Sequence, residues 1–188
     1  MAHAELFLQR QEEIEAALLE LMQTIPYQQI TVTDLAKPLG IARKSFYYYY
    51  TSKEACFESL TDRLIQESAL YAFRQMTDDQ DAVPIYGENI KFWMAQKPFL
   101  DVVLQNDLWD VLLARTMRHI RQEEKLVQLL LDTPAMEYDE DILLFYVSGQ
   151  LALMRKWCAQ GFPLSVEEMA KKYFRLMHSP LLSSENIS

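Results

Sequence analysis

Between Arg43 and Lys53 the chain reads RKSFYYYYTSK, a run in which most side chains can donate a hydrogen bond. Arg43 and Lys44 carry the donor chemistry that meets O6 and N7 of guanine, and Ser45 can bond a base edge or a phosphate. Tyrosine hydroxyls are common phosphate donors, so Tyr47 and Tyr49 would fix register on a duplex and carry little sequence information. Lys53 follows Thr51 and Ser52 at the start of a further helix, where free N–H groups and a cation suit another phosphate. The chemistry is recognition of a polyanion. For group transfer the chain offers little: it has no glycine-rich phosphate loop and no cysteine or histidine cluster at metal spacing. His3, His119 and His178 stand apart from one another and from any nucleophile in a local motif. No metal, no cofactor and no enzymatic activity are expected.

Donors of this kind need a scaffold that presents one helix face. Thr33 is placed to cap a short helix whose Leu35 and Ala36 point inward and whose first-turn Asp34 suits the helix dipole. Gly40 supplies the left-handed conformation of a tight joint, and Ile41 plugs the angle before another helix begins near Ala42. In that second helix Phe46 and Tyr50 face inward, leaving Arg43, Lys44, Tyr47 and Tyr48 outward. A helix-turn-helix lays its second helix in the major groove. Over about residues 5–24 an amphipathic helix precedes the pair, with Leu6, Ile14, Ala17, Leu18, Leu21 and Met22 on one face and Glu12, Glu13, Glu15 and Glu20 elsewhere.

The bulk numbers at first oppose nucleic acid, because the 188 residues carry a net charge of −9 and a pI near 4.8. Local balance decides otherwise. From Thr31 to Lys53 the cations Lys37, Arg43, Lys44 and Lys53 face the single acid Asp34, and a basic face on an acidic protein still binds DNA while discouraging non-specific contacts. Four glycines, seven prolines and apolar patterns repeating at three and four residues make the chain all-α. Cys56 and Cys158 fit no metal or redox spacing and read as reduced thiols. The N-terminus lacks the pattern of a signal peptide, and no apolar stretch approaches the roughly 20 residues of a membrane span. A soluble, cytoplasmic protein with no membrane partner is expected.

The run TVTDLAKPLGIARKSFYYYYTSKEACF, within about residues 12–60, resembles the DNA-binding domain of the TetR family of one-component transcriptional regulators. That family's pattern runs approximately T-V-x-D-I-A-x-x-A-G-V-S-x-G-T-F-Y-x-H/Y-F-x-S-K-E-x-L. Carried over by position, the resemblance implies DNA contacts at Thr33, Arg43, Lys44, Ser45, Tyr47, Tyr48, Tyr49 and Lys53. Three positions depart from it. Ala42 stands for the usual Ser or Thr and removes a helix cap, Lys44 stands for a common glycine, and Pro38 would shorten or kink the first helix of the pair. The resemblance also implies a three-helix DNA-binding domain over residues 1–51 and a helical ligand-binding and dimerisation domain over residues 52–188, about nine helices in all. It further implies a homodimer on a near-palindromic double-stranded operator, most often a repressor released by a small-molecule effector. An activator or co-activator would use the same fold, and a head that had lost DNA binding would leave a helical interaction module.

In the body, Phe57, Leu60, Leu64, Phe73 and Met76 mark a fourth helix, and residues 77–81 form a polar, acidic linker. Helices are expected near residues 82–96, 99–104, 107–131 and 139–160, with a stop at Thr133 and Pro134. Phe73, Tyr86, Trp93, Trp109, Met117 and Phe145 are bulky enough to line an apolar cavity between them. Arg115, Arg118, His119 and Arg121 form a basic cluster, and an inward arginine among them would suit an anionic ligand. The helix over 139–160 has two apolar stripes and so needs two partners. Ile142, Phe145, Gly149, Ala152 and Leu153 mark one; Leu144, Val147, Leu151, Met154 and Cys158 mark the other. The second stripe, with Met169 and Tyr173 of a last helix, is the expected subunit contact, with Gly149 and Ala152 permitting close approach. Ser165 with Glu168 is a capping box opening that last helix, and residues 183–188 form a frayed tail.

Overall fold

The computed structural model describes residues 2–73, 82–123 and 140–177. The linker at 77–81, the stop at Thr133 and Pro134, the extensions to Met76 and residue 131, and the tail all lie outside the described residues, as does the side chain of Phe73. The described chain is all-helical, as its periodicity predicts. In order, the α-helices are α1 (Ala2–Met22), α2 (Val32–Ala36), α3 (Arg43–Tyr49), α4 (Lys53–Phe73), α5 (Ala82–Ala95), α6 (Lys97–Gln105), α7 (Trp109–Gln122), α8 (Glu140–Ala159) and α9 (Val166–Met177). A single 3-10 turn, Tyr27–Gln29, separates α1 from α2.

Contacts divide the chain into two compact units, and α4 and α7 each contribute residues to both. The first comprises residues 1–64 and 98–115. Here α1, α2 and α3 pack on one another around Ile14, Leu18, Leu35 and Phe46, all fully buried. Each large apolar side chain so buried contributes roughly 1.5–3 kcal/mol. Phe57 of α4 stacks on Phe99 of α6 with ring centroids 5.9 Å apart, extending the core into the returning segment. Asn106 ties that segment to the 3-10 turn: its Oδ1 accepts the Tyr27 N–H at 2.7 Å while its Nδ2 donates to the Val102 carbonyl.

Two expectations for α1 fail. Leu6 is 62% exposed, and Phe7 turns inward in its place, with its ring 5.0 Å from Tyr49 and 5.7 Å from Tyr48. Glu15 lies on the buried face at 2% exposure, because a tyrosine and an arginine satisfy its carboxylate.

The second unit comprises residues 65–97 and 116–188. Helix α9 packs along α5, where Ile90, Trp157, Met169, Ala170 and Tyr173 form a buried cluster. Its entry is set by local chemistry. At the end of α8 the Phe162 N–H bonds the Trp157 carbonyl and the Gly161 N–H that of Cys158, a closure that needs Gly161 at φ +74°. Phe162 then meets Trp157 edge-on at 4.7 Å. The Ser165–Glu168 capping box forms, with the Ser165 N–H donating to Glu168 at 2.8 Å and the Glu168 N–H to Ser165 Oγ at 3.2 Å.

Candidate functional site

The exposed donor face of α3 is positioned by the joint before it. Thr31, not Thr33, caps α2: its Oγ accepts the Asp34 N–H, and Asp34 accepts the Thr31 N–H at 2.9 Å. These bonds hold the Asp34 carboxyl below its usual range. Thr33 is left inside α2 and exposed, free of the capping duty its hydroxyl suggested. Pro38 has no N–H to continue the ladder, and regular helix ends at Ala36. The chain nevertheless keeps winding. The Gly40 N–H reaches the Lys37 carbonyl and the Ile41 N–H the Ala36 carbonyl, both at 3.2 Å, around Gly40 at φ +62°. Ala42 then heads α3 with no side-chain cap, its carbonyl accepting the Ser45 N–H at 2.8 Å.

Phe46 at 0% exposure and Tyr50 at 6% anchor α3 and turn the rest of it outward. Arg43, Lys44, Ser45, Tyr47 and Tyr48 are all exposed, while Tyr49 is half-buried against Phe7. Arg43 Nη2 donates to the Tyr47 hydroxyl at 3.1 Å, and the guanidinium carbon lies 5.6 Å from the centroid of that ring. The Tyr47 hydroxyl accepts from arginine, so its own proton remains available for a phosphate, and the remaining guanidinium N–H groups stay available too.

Lys53 is placed differently from the phosphate anchor expected of it. Its ammonium donates to the carbonyls of Tyr27, Gln28 and Ile30 at 2.6, 3.2 and 2.9 Å and sits 4.7 Å from the centroid of the Tyr27 ring. An ammonium has three donors, and three carbonyls take them. The α4 start is capped separately by Ser52 Oγ, which accepts the Ala55 N–H.

Behind α3 lies a polar network that periodicity did not reveal. The Tyr50 hydroxyl donates to Glu15 Oε1 at 2.7 Å, while Arg63 Nε and Nη2 donate to Glu15 Oε2 at 3.0 and 2.7 Å. Three elements, α1, the end of α3 and α4, meet in one buried carboxylate. Burial and the neighbouring carboxylate push the Tyr50 hydroxyl up, so it remains a donor at neutral pH.

The second unit holds a cavity of about 140 Å³. At roughly 10–15 Å³ per water on this measure, it has room for a small organic molecule. Five helices wall it, four of them at one repeating spacing: Ile65, Ser68 and Ala69 on α4; Tyr86, Asn89, Ile90 and Trp93 on α5; Thr116, His119 and Ile120 on α7; Val147, Gln150, Leu151 and Met154 on α8, with Trp157 and, from α9, Tyr173 completing the wall. Burial pushes the Tyr86 hydroxyl up to about 12, and the Tyr173 hydroxyl donates to the Gln150 carbonyl at 2.6 Å.

Of the side chains expected to line a cavity, Tyr86 and Trp93 do. Trp109 is buried in the first unit, Met117 is buried away from the cavity wall, and Phe145 is 61% exposed. The expected subunit stripe is also turned inward. Val147, Leu151 and Met154 face the cavity, and Cys158, Met169 and Tyr173 are buried, so only Leu144 of that set is exposed. The outward apolar face of α8 is the other stripe, with Ile142 at 48% and Phe145 at 61% exposure beside exposed Gly149 and Ala152. The basic cluster disperses as well. Arg115 is the inward arginine, but its Nε reaches Asp62 at 2.6 Å, its Nη1 reaches Glu58 at 2.7 Å, and its Nη2 bonds Asp62 again. Arg121 pairs with Glu140 and Arg118 is exposed, which leaves no unpaired inward arginine in this cluster for an anionic ligand.

Comparison with known proteins places these features in context. The profile described as "Bacterial regulatory proteins, tetR family" matches residues 14–60, and that described as "Transcriptional regulator C-terminal region" matches residues 84–179. Over 59 residues the chain is 44% identical to the HTH-type transcriptional regulator EthR of Mycolicibacterium smegmatis; the match covers 31% of the chain and 27% of that relative. The chain therefore spans well under half the length of the curated relative it matches. In fold it is similar to the fatty acid degradation regulator FadR from Bacillus halodurans, with a TM-score of 0.64, 17% identity and coverage of 92% and 96% of the two chains. It is also similar to the dihydroxyacetone kinase operon activator DhaS, with a TM-score of 0.50, 17% identity and coverage of 89% and 93%.

Proposed function

Since the chain belongs to the tetR family of bacterial transcriptional regulators, we propose that it is a cytoplasmic repressor that binds a near-palindromic operator as a homodimer and is released by a small-molecule effector. Residues 1–51 form the reading head, and residues 52–188 sense and dimerise. The observation that carries DNA contact is the outward face of α3, where Arg43, Lys44, Ser45, Tyr47 and Tyr48 stand exposed on a helix pinned by Phe46. Arg43 and Lys44 read base edges, Tyr47 and Tyr49 hold phosphates, and Thr33 adds a contact from α2. Lys53 supports this surface from behind rather than touching phosphate, since its three donors are engaged.

Dimerisation is supported by the outward face of α8, where exposed Ile142 and Phe145 flank Gly149 and Ala152, small enough for a second helix to approach. Phe145→Asp should yield a monomer in light scattering. Effector control is supported by the cavity, and ligand and operator must then weaken each other by the same factor. The fold alone does not set the sign of regulation, because the operon activator DhaS shares it.

The decisive experiment is selection of bound duplexes from a random pool, followed by affinity measurements across salt concentrations. Arg43→Ala and Lys44→Ala should each weaken the selected operator and lower the salt slope by about 1. Unchanged affinity in both variants, or no selected sequence at all, would leave a helical interaction module as the better description. A reporter driven by the selected operator then decides between repression and activation.

A further inference from the structure

We infer that the cavity of the second unit takes an uncharged, largely apolar ligand carrying one hydrogen-bonding group, and that Asn89 and His119 read that group. This rests on the effector site proposed above and adds its chemical class. Four of the wall helices set a polar side chain three residues after their first wall residue: Ser68, Asn89, His119 and Gln150, with Thr116 beside His119 on α7 and Tyr173 on α9. No carboxylate, ammonium or guanidinium lines the space. A charged ligand would therefore lose its hydration with no carboxylate, ammonium or guanidinium opposite it, the costliest way to bury a polar group.

The polar positions are not equivalent. The Ser68 hydroxyl is committed to the Ile65 carbonyl at 2.8 Å, and Tyr173, also on the wall, is committed to the Gln150 carbonyl. Thr116 and Gln150 have partners of their own. Asn89 on α5 and His119 on α7 have no hydrogen-bond partner among the described residues, although both line the cavity. An amide offers donor and acceptor together, and an imidazole offers one of each. A hydroxyl, carbonyl or amide on an apolar body satisfies both side chains.

The test uses the full chain and three polar probes of one length, octan-1-ol, octanoate and octylamine, with octane as the apolar reference. Binding is read from the fluorescence of the wall residues Trp93 and Trp157 and checked by thermal shift. The alcohol should bind at least tenfold more tightly than either ion. Equal or tighter binding of octanoate or octylamine overturns the inference, as does saturable binding by none of the three. In Asn89→Leu and His119→Phe the preference for octan-1-ol over octane should fall at least fivefold, with alkane affinity kept. An unchanged preference in both removes the assigned readers. Operator affinity, measured alongside, separates the two proposals. An alcohol that binds without weakening the operator sinks the effector role and leaves the ligand class standing, whereas an operator complex dissolved only by ionic compounds does the reverse.

Discussion

Tyr50→Phe tests the buried network most directly, because it deletes one hydroxyl and leaves the ring that closes the core behind α3. The hydroxyl donates to Glu15 Oε1 at 2.7 Å, and Glu15 is 2% exposed. Leaving a buried acceptor without its donor costs about 1–3 kcal/mol. Arg63 keeps its two bonds to the other oxygen, and its side chain is 36% exposed, so water reaches that end of the carboxylate. The lower part of the range, about 1–2 kcal/mol, is therefore expected. In a chain of this length each kcal/mol moves Tm by about 2–4 °C, so the variant should melt roughly 2–8 °C below the parent. Differential scanning calorimetry at pH 7 provides the measurement. The same substitution in a Glu15→Gln background should cost less, because the acceptor has lost its charge. An unchanged Tm, or an identical cost with and without the Glu15 carboxylate, would refute the network as a source of stability.

Lys53→Met should destabilise the chain by roughly 1.5–3 kcal/mol, having left three carbonyls without their cation, and should leave the salt slope of operator binding unchanged. A slope reduced by about 1, as expected for Arg43→Ala, would restore Lys53 as a phosphate contact. Ala42→Ser supplies the missing cap of α3 and should raise Tm by roughly 1–4 °C in thermal melts followed by circular dichroism. The Asp34 carboxyl is held low by its bonds to Thr31, so its contribution is present above the unfolded carboxyl range of about 3.9 and disappears as pH falls through the lower folded value. Wild type should therefore outlast Asp34→Asn in melts at neutral pH, with the two curves converging well below pH 4. Cys56 is fully buried, and burial pushes its thiol up, so it should resist Ellman's reagent until denaturant is added; a rapid native titre for Cys56 would contradict its placement.

The head was legible because several independent local signals coincide within a few residues: a glycine that must turn left-handed, an inward aromatic and an outward donor face. Where two candidates of the same type lie close together, sequence alone does not separate them. Thr31 and Thr33 both offer a hydroxyl, and only the reciprocal bond with Asp34, three residues after Thr31, selects the first. Leu6 and Phe7 are neighbours near a helix end, and what decides between them is a pair of tyrosines over forty residues away. By its type Glu15 belongs to solvent; its partners at positions 50 and 63 are invisible to helical periodicity. The two stripes of α8 are legible as stripes, yet rotational phase depends on what the helix packs against, and periodicity alone does not say that Val147, Met154 and Cys158 are the buried ones. The cavity residues did leave a trace, the recurrence at i, i+3 and i+4 on four helices, but an apolar search passes over its polar members.

Arg115 and Thr116 are adjacent in α7, yet one is clasped by Glu58 and Asp62 while the other belongs to the cavity wall. The guanidinium fork holds α7 at Arg115 through two acids of α4, while from Thr116 onward the same helix lends Thr116, His119 and Ile120 to the cavity wall. An exchange of wall residues beyond Arg115 therefore reshapes the cavity without touching any atom of the fork.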